Sequence, residues 1–157
     1  MMIAAYVIIT IVSFCAMEFV AWFTHKYIMH GLLWVLHKDH HTGHKHAFER
    51  NDAFFVIFAL PGASLIIAGT MNGFNELFFA GLGITLYGAA YFLVHDVFIH
   101  QRFKLFRNST NPYLLAIRRA HKVHHKKTEK NGGECFGMLI VPMKYFRNEI
   151  GTLAKQS

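Results

Sequence analysis

Residues 3–41 read IAAYVIITIVSFCAMEFVAWFTHKYIMHGLLWVLHKDHH, a hydrocarbon run that passes without a linker into five histidines. From 3 to 23 only Ser13, Glu18 and a few small residues interrupt the apolar character. That length suits a helix crossing a membrane, which needs about 20 residues. The run is not expected to be a cleaved leader. No basic segment precedes it, it is longer than a leader's apolar core, and no A-x-A-like site follows.

Two further apolar stretches, 53–69 and 77–94, lie downstream. The middle one is slightly short, so tilt or continuation at its ends must complete it. Composition agrees: 54% of the 157 residues are apolar and 16% charged, against about 25% charged in ordinary globular proteins. Mean hydropathy is +0.28. The expected fold is therefore all-α, one membrane-embedded domain over 1–157. Its spans are expected at about 3–24, 53–70 and 76–94, with cytoplasmic segments at 25–52 and 95–157. Pro61-Gly62 is expected to kink the second span, with neighbouring helices satisfying the freed carbonyl.

Charge sets the orientation. Nothing before Lys26 is Lys or Arg, and the 71–76 turn has none. Lys26, Lys38, Lys45 and Arg50 follow the first span, and the other twelve of the 16 basic residues follow the third. The positive-inside tendency places both groups in the cytoplasm and the N-terminus outside. The net charge of +7 is then directed at anionic lipid headgroups and not at nucleic acid. Cys15 and Cys135 form no metal-like or disulfide pattern and are read as packing residues.

Ten of the twelve histidines fall into a doubled pattern. His25-x4-His30 precedes His37-x2-His40-His41, and His95-x4-His100 precedes His121-x2-His124-His125. Neutral imidazole ligates transition metals, and ten rings exceed the four or so that close one zinc site. Two metal ions are expected, held in a histidine-rich cap of cytoplasmic or interfacial helices. In each H-x2-HH triplet the rings fall within about 100° of arc on one helix face. The pairs five apart are about 140° apart on an ideal α-helix. They require a π-bulge, a frayed helix end, or attachment to different metals.

The last triplet has the clearest frame. Asn111 can cap a helix with Pro112 at its first position, running to about Lys127. Leu114 and Ile117 share the face of His121, His124 and His125, while Arg119, Lys122 and Lys126 lie opposite, as in an interfacial helix. His44 would continue the His37 face at i+7 but follows Gly43, a helix breaker; it and His46 are read as loop residues or outer partners. Glu18, seven before His25 and inside a span, is a candidate outer partner for a ligand histidine. Asp39 and Asp96, inside the clusters, are similar candidates. No catalytic residue is expected beyond the ligands themselves.

HKYIMHG (25–31), HKDHH (37–41), AFERND (47–52), YFLVHDVFIHQRF (91–103), AHKVHH (120–125) and FGMLIVP (136–142) together resemble the bacterial β-carotene hydroxylases. These belong to the fatty acid hydroxylase/sterol desaturase superfamily, and the resemblance covers nearly the whole chain. It implies a non-haem di-iron monooxygenase in the bacterial cytoplasmic membrane, using O2 and two electrons to hydroxylate carbon 3 of β-ionone rings. β-Carotene entering from the bilayer would become zeaxanthin by way of β-cryptoxanthin. The family's ligands carry over onto His25, His30, His37, His40, His41, His95, His100, His121, His124 and His125. Zinc could replace iron in a purified sample, since ligand type does not select between them. A reduced ferredoxin, drawn to the basic surface, is the kind of electron donor implied.

A carotenoid 4-ketolase or a sterol or fatty acid hydroxylase would present similar clusters. Among other classes, a histidine-rich metal transporter would place ligands through the middle of its spans. A haem bundle would use isolated axial histidines. Oligomeric state is not legible in the sequence.

Overall fold

The computed structural model describes residues 2–42 and 48–153. His44, His46 and the helix break expected at Gly43 lie outside these residues. Among the described residues, three helical stretches are long and apolar enough to cross a membrane: Met2–Leu32, Arg50–Met71 and Glu76–Ile99. Their α-helical parts are α1 (Met2–Phe23), α3 (Ala53–Met71) and α4 (Glu76–Phe92). The short α2 (Trp34–Thr42), α5 (Pro112–His125) and α6 (Met143–Leu153) complete an all-helical architecture without a strand among the described residues. The all-α membrane fold expected from the sequence is the one observed.

The spans pack by close approach of small residues, since lipid-facing side chains give no hydrophobic drive between helices in a bilayer. A Cβ on Gly83 would lie 2.4 Å from the Thr10 carbonyl oxygen, and one on Gly81 would lie 2.7 Å from the Gly62 carbonyl oxygen. Gly83 therefore seats α4 on α1, and Gly81 seats it on α3. α3 runs unbroken through Pro61. A turn at 72–75 joins α3 to α4, and Asn75 caps α4 by accepting from the Leu77 N–H. Ile3, Val7, Ile8, Ile11 and Val12 of α1 stay exposed, as a lipid-facing surface requires.

The spacing of five is resolved by π-helix. Thr24–Leu32 continues α1 and Leu93–Ile99 continues α4, both with backbone bonds to the fifth residue back. Leu33 N–H donates to the Ile28 carbonyl (2.8 Å), and His100 N–H to that of His95 (2.9 Å). This wider turn returns residues i and i+5 to one face. At Gly31 the chain leaves helical geometry (φ −115°, ψ −109°) and turns into α2.

Beyond the spans, α5 and α6 close the cap. Asn111 Oδ1 accepts from the N–H groups of Tyr113 and Leu114, and Pro112 opens the helix as expected. Ile117 packs with Phe98, Ile99 and Met138; Ala116 and Ala120 pack on Tyr145 of α6. Arg119, expected on an open basic face, instead pairs with buried Glu149 of α6 (2.6 Å). α6 and its cover over α5 have no counterpart among the expectations drawn from the sequence.

Candidate metal centre

The ten histidines meet at the ends of α1 and α4 through their π-helical turns, with α2 and α5 laid across them. Their ligand atoms form two groups. His25, His30, His37, His41 and His124 make the first; His40, His95, His100 and His121 make the second. Within each group the ligand atoms all lie within 4.8 Å of one another. His125 belongs to neither group and lies between them, its ring centroid 4.4 Å from His121, 4.6 Å from His40 and 4.9 Å from His100, and 4.6 Å from His41 of the first group.

Each π-helical pair stays together, so attachment of His25 and His30 to different groups is not what the structure has. The triplets divide instead. His37 and His41 join the pair from their own half of the chain, while His40 crosses to the other. His121 stays with His95 and His100, while His124 crosses to the first group. The two groups are interleaved, each incomplete without a ring from the opposite half.

Hydrogen bonds assign the tautomers. In the first group, Nδ1 of His25, His30, His41 and His124 donates to the carbonyls of Phe136 (2.9 Å), Lys130 (3.1 Å), Lys127 (2.9 Å) and Glu134 (2.8 Å). His37 Nδ1 donates to Asn51 Oδ1 at 2.7 Å. In the second group, the Nδ1 atoms of His40 and His95 donate to carboxylates of Glu49 (2.7 Å) and Asp96 (3.0 Å). A neutral imidazole whose Nδ1 holds the proton has a bare lone pair on Nε2. Those lone pairs face one another: His25 to His37 at 3.1 Å, His37 to His41 at 3.1 Å, His30 to His124 at 3.2 Å, and His40 to His95 at 3.1 Å.

Facing lone pairs repel unless a cation lies between them. Metal–imidazole bonds of about 2.0–2.1 Å at right angles would put adjacent nitrogens about 2.8–3.0 Å apart, close to what is observed. His125 Nε2 is also buried and without a hydrogen-bond partner among the described residues. The donor set fits two transition-metal ions.

Burial keeps the rings neutral. Among the clustered histidines outside the spans, His37 is pushed down to about 2, His124 to about 3 and His41 to about 4, chiefly by burial and further by neighbouring histidines. His100 is also pushed down to about 2, by burial first and then by His95 and Arg102. Neutral rings are what metal ligation requires.

The outer partners differ between the groups: neutral carbonyls and an amide around the first, carboxylates around the second. Arg102 ties the latter together, with Nη2 2.7 Å from Asp52 and 3.5 Å from Glu49, and Nε 3.1 Å from Asp96. Of the carboxylates flagged in the sequence, Asp96 touches one of the clustered histidines, His95. Asp39 instead accepts from the Arg50 N–H (2.8 Å), fastening the chain that returns to α3. Glu18 accepts from the 138–140 backbone and from Tyr87 and touches no histidine directly. Sequence reasoning missed Asn51, Glu49 and Arg102. Their available signal was a polar cluster immediately flanking apolar spans.

A cavity of about 440 Å³ lies among α1, α3 and α4, within the range of about 300–1,000 Å³ typical of small-molecule sites. Its walls include Met17, Ala21, Phe54, Phe58, Ile66 and Ile84, and it also reaches His25, Asn51 and Phe136. An apolar chamber inside the spans thus adjoins the first histidine group.

Fold and site together define a helical membrane protein with two histidine clusters, each able to hold a metal ion, at one end of its spans. The chain matches the fatty acid hydroxylase family over residues 10–143 and belongs to it. It is 44% identical over 132 residues to a beta-carotene hydroxylase of Pseudescherichia vulneris, covering 84% of this chain and 74% of that one. It is 41% identical over 135 residues to a beta-carotene hydroxylase of Pantoea ananas, covering 86% and 77%. A chloroplastic beta-carotene 3-hydroxylase 2 of Arabidopsis thaliana is 40% identical over 129 residues, covering 80% of this chain and 42% of its own. No solved structure matches the chain. The family resemblance drawn from the histidine motifs holds.

Proposed function

We propose that the chain is a carotenoid 3-hydroxylase that converts β-carotene to zeaxanthin by way of β-cryptoxanthin. The ligands are His25, His30, His37, His41 and His124 for one iron, and His40, His95, His100, His121 and His125 for the other. The observation that carries the reading is the apolar cavity ending on His25, beside nitrogens that face each other as bare lone pairs. Each hydroxylation consumes one O2, two electrons and two protons, and releases one water beside the alcohol. Iron, when bound, supplies the O2 activation that an unactivated C–H bond demands and no side chain provides.

The chain's own residues do the rest. The Nδ1 acceptors hold each imidazole in the ligating tautomer, and Glu49 and Asp96 make their two rings stronger donors. The apolar walls admit a hydrocarbon ring from the bilayer and exclude water from its surroundings. Exposed Lys122, Lys126, Lys127 and Lys130 lie beside the site, and the backbone carbonyls of Lys127 and Lys130 already touch His41 and His30. This basic surface, cytoplasmic if the positive-inside tendency holds, suits an acidic electron donor such as reduced ferredoxin.

The test is expression in bacterial cells that accumulate β-carotene, followed by chromatography of the pigments. Mono- and dihydroxylated products at carbon 3 are expected. Keto products at carbon 4 would make the chain a ketolase. Unchanged β-carotene, with the protein present in the membrane and loaded with metal, would remove carotenoids as its substrate.

A further inference from the structure

Glu18 is a buried carboxylate in the apolar part of α1, where an ion is costly unless well partnered. Its partners are unusual in kind. Oε1 accepts from three consecutive backbone N–H groups, those of Met138, Leu139 and Ile140, each at 2.9 Å. Oε2 accepts from the Tyr87 hydroxyl at 2.7 Å. Successive amides converging on one oxygen form an anion nest, here filled by a side chain of the same protein. Gly137 leaves room for it: a Cβ there would lie 2.9 Å from the Ile140 carbonyl oxygen and 3.1 Å from Glu18 Oε1.

The moored segment, 134–140, carries no regular secondary structure, yet it orients ligands of the first histidine group. The Phe136 carbonyl accepts from His25 Nδ1, and the Glu134 carbonyl from His124 Nδ1. The Phe136 ring lies 5.1–5.4 Å from the rings of His124, His30 and His25. The second group takes no contact of this kind from the segment; its identified outer partners are Glu49 and Asp96.

We infer that Glu18, steadied by Tyr87, is a positioning residue for the first metal site alone. It anchors the 134–140 segment to α1, and through two carbonyls of that segment it holds His25 and His124 in their ligating tautomer and aim. The inference rests on the two-metal reading above. A merely structural role for Glu18 would affect both sites alike.

The experiment compares Glu18→Gln and Tyr87→Phe with the wild type in detergent, each reconstituted with Fe(II) without air. Metal per chain and the rate of metal loss to a chelator are measured beside helicity and thermal midpoint. The wild type is expected to hold two ions. Glu18→Gln should release one about 10–100-fold faster, the range for lost outer partners, while the other leaves at the wild-type rate. Tyr87→Phe should shift the same ion in the same direction by less, and it decides the matter if Glu18→Gln does not fold. Release of both ions in parallel, or unchanged release of both, would overturn the inference while leaving the two-metal reading intact. A wild-type chain that holds fewer than two ions would overturn that reading and the inference with it.

Discussion

Each ligand histidine is a two-ended group, and its outer nitrogen is as informative as its inner one. Replacing any one of the ten by Ala is expected to reduce zeaxanthin yield to near zero in β-carotene-producing cells, normalised to membrane protein level. His124→Ala is the most telling case. Although α5 otherwise serves the second group, this variant should deplete the first-group ion, whose other ligands come from the π-helical continuation of α1 and from α2. Glu49→Gln should act on the opposite site. His40 would lose its charged acceptor, and the second ion should dissociate about 10–100-fold faster, read by chelator competition.

The pH dependence follows from burial. His37, His124 and His41 fall to about 2, 3 and 4 in the fold, against about 6.5 when unfolded. Between those values the unfolded chain binds protons that the folded chain does not, so stability rises with pH across that window. It is complete above about 6.5 and is lost progressively as pH falls toward 4. The thermal midpoint of metal-free protein should therefore drop steadily from pH 7 to pH 4.5. A flat profile would contradict the buried neutral state.

At the scale of elements, the sequence marked the spans, the capped α5 and every histidine, but not how the triplets divide. On a helix His40 and His41 point about 100° apart. By spacing that arc is one shared face, yet it is wide enough to straddle two neighbouring sites, and only tertiary placement decides between them. The spacing of five was legible as an anomaly; the π-helical turns explain it. The carbonyl acceptors at 127, 130, 134 and 136 had no signal, because every residue carries the same backbone group. Gly83 carries no signal of its own either, since its importance depends on a neighbour 73 positions away in the chain at Thr10. Its close approach makes a prediction: Gly83→Ala should lower the thermal midpoint by several degrees, as overpacking costs about 1–3 kcal/mol. Gly88→Ala, with nothing within 4 Å of its added Cβ, should barely change it.

For the whole molecule, the spans serve both as an anchor and as the wall of a chamber that opens onto one histidine group. Filling that chamber separates its two roles. Ala63→Trp, on the wall away from the ligands, should preserve both ions but abolish conversion of β-carotene. The interleaved sites make a sharper demand, because neither can be completed by one half of the chain. Anomalous scattering at the iron edge from crystals of the iron-loaded protein tests this directly. Two peaks per chain are expected, one among His25, His30, His37, His41 and His124, the other among His40, His95, His100, His121 and His125. A single peak, or two peaks that divide the histidines by sequence half, would contradict it.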